Sequence, residues 1–173
     1  MLTNSPFRLS TRALTTAALA VLTTSAAWAD QTLVPAQSEV TFVAKQLGVP
    51  LDGHFKQFAA QVAFDPKKPQ TSKIAIQIDL GSVAVNADAN AELVKPDWFN
   101  TPKFPKATFQ SGAIKPLGNG RFEVAGKLAI KGLARDVTVP VQLTQAKGLT
   151  TATGAIALKR LDFKVGEGDW ADT

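Results

Sequence analysis

The chain contains no cysteine, no tyrosine, one histidine and one methionine among 173 residues. Without cysteine there is no disulfide to staple the fold and no thiolate to attack a substrate or bind a metal, so packing alone must stabilise it. One histidine cannot furnish the three or four converging ligands of a zinc-type site. Charge is sparse: 19% of residues are Asp, Glu, Lys or Arg, and the formal net charge is +5, of which Arg8 and Arg12 contribute two. The other basic residues are dispersed, as in Lys67-Lys68, Lys103 with Lys106, and Lys159-Arg160. A nucleic-acid protein would gather them on one face among stacking aromatics, so that partner class is set aside. Long hydrophobic runs are missing too. The apolar stretch Ala13 to Leu22 falls far short of the roughly 18 residues that span a bilayer.

That stretch has another reading. Arg8 and Arg12 precede it, and Ser25-Ala26-Ala27-Trp28-Ala29 follows, with small residues at Ala27 and Ala29. This is the three-part pattern of a secretory leader. Residues 1–29 are therefore expected to be a cleaved signal peptide, and residues 30–173 a single exported domain that does not span the membrane. No cysteine follows the apolar run, which excludes a lipoprotein anchor.

Alternation with period two recurs along the domain and predicts an all-β fold. Val40, Phe42 and Ala44 oppose Glu39, Thr41 and Lys45; Ile74, Ile76 and Ile78 oppose Lys73, Gln77 and Asp79. Phe122, Val124, Leu128 and Ile130 share a face with Gly126, and Val137, Val139, Val141 and Leu143 repeat the theme. Ile156 and Leu158 extend it into a last strand rich in Ala, Thr and Gly. Turn chemistry separates the runs: Asp65-Pro66-Lys67-Lys68-Pro69, Gly118-Asn119-Gly120, the hairpin loop Lys131–Arg135, and Lys147-Gly148. Asn86 to Val94 reads as one short helix with a cap residue at its start. Trp98, Phe99 and Phe104 then stand among three prolines, too apolar for a solvated loop, and are expected to bury at the mouth of the fold. Short hairpins joining strands with one apolar face predict an antiparallel meander of seven or eight strands. It is expected to curl into a barrel, since closure removes exposed edges, with a two-sheet sandwich as the alternative.

Catalytic constellations are absent. His54, beside a glycine in Asp52-Gly53-His54-Phe55, reads as a surface or hydrogen-bonded structural residue. Glu167-Gly168-Asp169 reads as an acidic loop, and Asp88 and Glu92 as carboxylates of the helix surface. No phosphate-cradling loop or Gly-x-Ser-x-Gly elbow occurs. No enzyme is expected. The remaining feature is the interior, where Phe42, Phe64, Ile76, Phe109 and Phe122 mix with small Ala44, Ala107, Ala113, Gly126, Ala152 and Gly154. Small inward residues leave volume for neighbours or for a ligand, and composition leaves both open.

Five stretches, in order, resemble the YceI-like family. They are Ser38–Phe42 with Leu47-Gly48; Gly53-His54-Phe55-Lys56-Gln57-Phe58; Asp97–Phe109; Gly126–Gly132 followed by Val137-Thr138-Val139-Pro140; and Arg160-Leu161-Asp162-Phe163 with Gly166 and Trp170. The resemblance implies a periplasmic, lipocalin-like barrel that binds a polyisoprenoid, with an isoprenoid quinone as the other cargo and no resident cofactor. It also raises a ligand-free role beside an inner-membrane b-type cytochrome. The family commonly carries His where this chain has Gln46, and its relatives continue beyond Asp172-Thr173 into a closing strand, so the last strand is expected to be missing here. The residues expected to line the ligand tube are Val40, Phe42, Phe55, Phe58, Ile76, Phe109, Leu128, Ile130 and Phe163, with Trp98 and Phe99 at one end. Lys103 or Lys106 is the expected partner of a polar headgroup.

Overall fold

The computed structural model describes residues 31–46 and 48–172. The expected leader, residues 1–29, lies outside them. Among the described residues nine strand segments and one α-helix follow in chain order: β1 (Val40–Gln46), β2 (Val49–Phe55), β3 (Phe58–Ala63), β4 (Lys73–Asp79), β5 (Val83–Ala84), α1 (Ala87–Leu93), β6 (Lys106–Gly118), β7 (Arg121–Ile130), β8 (Leu133–Ala146) and β9 (Leu149–Gly154). All ladders are antiparallel, in the orders β1-β2-β5 and β3-β4-β6-β7-β8-β9.

The two ladders join at a kink. His54 pairs with Ala84 and Phe58 with Ile78, so four residue steps on the β2–β3 side face six on the β4–β5 side. The surplus is absorbed by Ser82. Its carbonyl accepts from Lys56 N–H (3.1 Å), its hydroxyl accepts from Gln57 N–H (3.0 Å) and donates to the Asp79 carbonyl (2.7 Å), and Asp79 N–H donates to the Gln57 carbonyl (3.0 Å). Backbone groups that leave the ladder are thus paired locally. The result is the expected meander, curled into a half-barrel. Among the described residues no strand pairs with the outer edge of β9 or of β1.

Turn residues fix the register. Asn119-Gly120, Lys131-Gly132 and Lys147-Gly148 have φ of 52° and 72°, 50° and 76°, 50° and 79°, the doubly left-handed pattern of two-residue hairpins whose twist matches the strands. The β7–β8 loop is therefore shorter than Lys131–Arg135. Leu133 to Arg135 belong to β8. A bulge between Ser111 and Ala113 shifts the phase of β6, so Phe109 and Ile114 face one side, opposite Leu128 and Val124. That bulge turns Ala113, expected inside, to the outer surface.

Packing concentrates at one end of the concave face. Ile114, Val124 and Phe122 are buried, with Phe64, Ile74, Phe109, Val141 and Leu143 against them. The Phe64 and Phe122 rings meet edge-on at 5.2 Å. The expected strand through Ile156 and Leu158 does not form. β9 stops at Gly154, and Leu158 is 43% exposed. The helix starts where its cap predicts, with Asn86 Oδ1 accepting from Ala89 N–H at 2.9 Å.

Candidate lipid-binding site

Facing residues of an antiparallel ladder project on the same side, so the register gives the floor of the half-barrel directly. One row crosses it as Ala60, Ile76, Phe109, Leu128 and Arg135. The next rows carry Ile78 with Ala107, and Ile130 with Leu133. Phe109 lies flat because the row beside it offers Gly126, where a Cβ would come within 2.7 Å of its Cζ. The Phe42 ring lies over Gly53 in the same way. In both places a missing side chain on the inner face is occupied by a neighbouring ring. Arg135 is the exception in an apolar floor: it lies on β8 before the first residue paired with β9, Val141, and is exposed.

The β1–β2 end carries an aromatic chain. Val40 faces Phe55 across the ladder; Phe42 and Phe55 rings are 5.5 Å apart and Phe55 and Phe99 6.1 Å apart. A groove of about 690 Å³ opens beside them, its apolar walls Phe42, Leu51, Leu93, Trp98 and Trp170 and its charged ones Lys45, Asp88, Glu92 and Arg160. Of the residues expected to line a tube, Val40, Phe42, Phe55, Trp98 and Phe99 therefore gather at this end. Ile76, Phe109 and Leu128 share the floor row, with Ile130 one pair beyond. Phe58 pairs with Ile78 and so extends that row of the floor onto β3; it also lines a second groove of about 760 Å³ that includes both faces of β3 and the segment from Gln31 to Pro35, at the edge of the sheet. Phe163 is only 3% exposed and lies in the turn Arg160–Phe163 of the C-terminal segment. Lys106 precedes inward Ala107 and so faces outward, donating to Gln77 Oε1 at 3.2 Å, and Lys103 sits over the Phe104 ring. Neither reaches the floor.

The closure at Trp98 is built by the C-terminal segment. Arg160 donates to the carbonyls of Val165 (3.1 Å), Gly166 (2.6 Å) and Trp170 (2.6 Å), and its guanidinium lies 5.8 Å from the Trp98 ring centre. Gly166 and Glu167 N–H groups both donate to the Asp97 carbonyl, at 2.8 and 3.0 Å. The Lys131 side chain is 8% exposed, and its ammonium reaches the Lys164 carbonyl (2.6 Å) and Glu167 Oε2 (3.1 Å). Replacing Arg160 with Ala removes the donor that gathers these carbonyls. Deuterium uptake at residues 160–171 is expected to rise by about tenfold or more while the β6–β8 ladder keeps its protection, since two to three charge-assisted bonds are lost.

His54 is exposed on the outer side of β2, opposite Thr41. Among the described residues no three His, Asp or Glu side chains converge on a point that could hold a metal, and no helix is long and apolar enough to cross a membrane. Sequence reasoning missed Leu51, Leu93 and Trp170 as groove walls. The alternation through Ala44 and Gly53 could have found Leu51, whereas Leu93 and Trp170 arrive only through the fold.

Residues 31–172 match the model of the YceI-like domain. The chain belongs to this family. A solved structure of Burkholderia cenocepacia BcnA is similar to this YceI-like domain, at 42% identity and a TM-score of 0.77, covering 80% of this chain and 88% of that one. A UPF0312 protein of Yersinia pestis is 36% identical over 107 residues, 61% of this chain and 55% of its own length. The YceI-like domain thus spans about half the length of the curated relatives it matches. The structure of a polyisoprenoid binding domain from Saccharophagus degradans shares the fold, at 17% identity and a TM-score of 0.55 over 73% of this chain and 76% of that one.

Proposed function

We propose that the domain is an exported, periplasmic carrier that holds a polyisoprenoid chain, of a lipid or a quinone, along the floor of its half-barrel and does not act on it chemically. The observation that carries this reading is the continuous apolar row from Ala60 to Leu128 on the concave face of the half-barrel. Each buried CH₂-sized group contributes roughly 0.8 kcal/mol, so a five-carbon unit contributes on the order of 3–4 kcal/mol before costs. Several units exceed the roughly 4–15 kcal/mol cost of association without any directional bond. Family membership and the leader pattern at residues 1–29 support the same reading. A ligand-free module for an inner-membrane cytochrome would call for a dry, filled interior, and the open floor speaks for cargo instead.

Native mass spectrometry of the protein recovered from the cells that make it tests the proposal. An adduct whose mass matches a prenyl lipid or quinone is expected, retained equally by His54→Ala. A bare polypeptide mass in gentle conditions would contradict it.

A further inference from the structure

Beyond Gly53 the β1–β2 hairpin stands apart from the rest of the sheet. β5 pairs only with His54 and Phe55, and among the described residues no strand pairs with the outer edge of β1. This free ribbon carries the two most exposed large apolar side chains among the described residues, Val43 at 69% and Val49 at 65%, against 47% for Leu161. Alternation puts them on opposite faces. Val43, opposite Asp52, lies on the outer side with Thr41 and His54, whereas Val49 lies two residues from Leu51, a wall of the groove. Ala44 and Pro50 are exposed between them. A single valine in water needs no explanation, but a ribbon that is apolar on both faces points to a partner.

We propose that this ribbon docks on a phospholipid bilayer. A second protein chain seated on one face would leave the other valine in water, whereas a bilayer receives a projecting hairpin from every side. Backbone groups on the ribbon's open edges cannot enter hydrocarbon, so it rests at headgroup level, with Val43 and Val49 reaching the first acyl carbons. Lys45 is the only charged residue in the three pairs nearest the turn, Ala44–Leu51, Lys45–Pro50 and Gln46–Val49. It forms no ion pair among the described residues, and its ammonium meets a lipid phosphate there. The docking stands on the ribbon itself, and its use rests on the carrier reading above. Phe42 and Leu51 belong to both the hairpin and the groove, so docking brings an apolar wall of the groove to the membrane surface. A tail then passes between the two with little exposure to water.

The chain has no cysteine, so a single introduced one can carry an environment-sensitive dye. Val43→Cys, Val49→Cys and, at the end of β6, Leu117→Cys are recovered from the cells that make the protein and labelled. Each is mixed with vesicles of phosphatidylcholine and phosphatidylglycerol, with and without a lipid-borne quencher. The dyes at positions 43 and 49 are both expected to shift to the blue and to be quenched, and the dye at position 117 to do neither. In unlabelled protein, Val43→Glu combined with Val49→Glu is expected to weaken co-sedimentation with the vesicles about 100-fold. The same pair should leave affinity for a farnesyl-tailed probe in solution unchanged, since neither valine walls the groove or the floor. Vesicle binding that leaves either dye in water, no vesicle binding at all, or dyes shielded by dimer formation without vesicles overturns the docking and leaves the carrier reading standing. A farnesyl-tailed probe that binds neither protein overturns the carrier reading, and with it the use of the ribbon for cargo exchange.

Discussion

Ile76→Asp is expected to lower affinity for a farnesyl-tailed probe by about 100-fold or more, because a carboxylate on the floor must lose water when the tail covers it. Ile76 stands mid-row between Ala60 and Phe109, so a tail laid along the floor passes over it. Ile76→Ser, which removes the apolar group without adding charge, should fall between the wild type and Ile76→Asp. Tail binding followed by tryptophan fluorescence, with circular dichroism to confirm the fold, measures both. Equal affinities in the three proteins would place the tail elsewhere.

Phe122→Ala is expected to destabilise the domain by about 3–5 kcal/mol, the cost of removing a buried aromatic and leaving a cavity. Phe122 is 7% exposed and meets Phe64 edge-on, at the end of the sheet where Ile114, Val124, Val141 and Leu143 also converge. Few buried side chains stand behind it, because much of the inner face is open. The midpoint of thermal unfolding should fall by on the order of 10 °C, given the usual few degrees per kcal/mol for a domain of this size. Phe58→Ala, at the edge groove, should cost clearly less. A similar loss at both positions would mean that stability is spread evenly over the sheet.

Much of the fold was legible in the residues because local signals and tertiary structure agree there. Asn119-Gly120 and Lys131-Gly132 sit where alternation breaks, and both adopt the left-handed geometry their hairpins need. β4 and β7 coincide with the alternating runs Lys73–Asp79 and Arg121–Ile130. What alternation alone does not show is a change of phase inside a strand. Gly112 in the β6 bulge puts Phe109 and Ile114 on one side although they are five apart, and Ser82 substitutes a side-chain bond for a ladder bond at the kink. The aromatic end was partly legible: Trp98 and Phe99 among prolines had to bury somewhere. That the C-terminal segment would be tied to the Asp97 carbonyl by Gly166 and Glu167 depends on contacts distant in sequence, which no local pattern carries.

The location of the cargo can be measured directly. With Ile, Leu and Val methyl groups ¹³C-labelled and a farnesyl-tailed ligand bound, intermolecular NOEs are expected from the tail to Ile76, Leu128 and Ile130. NOEs confined to outward, exposed methyls such as those of Val43 and Leu117 would contradict a tail held on the concave face.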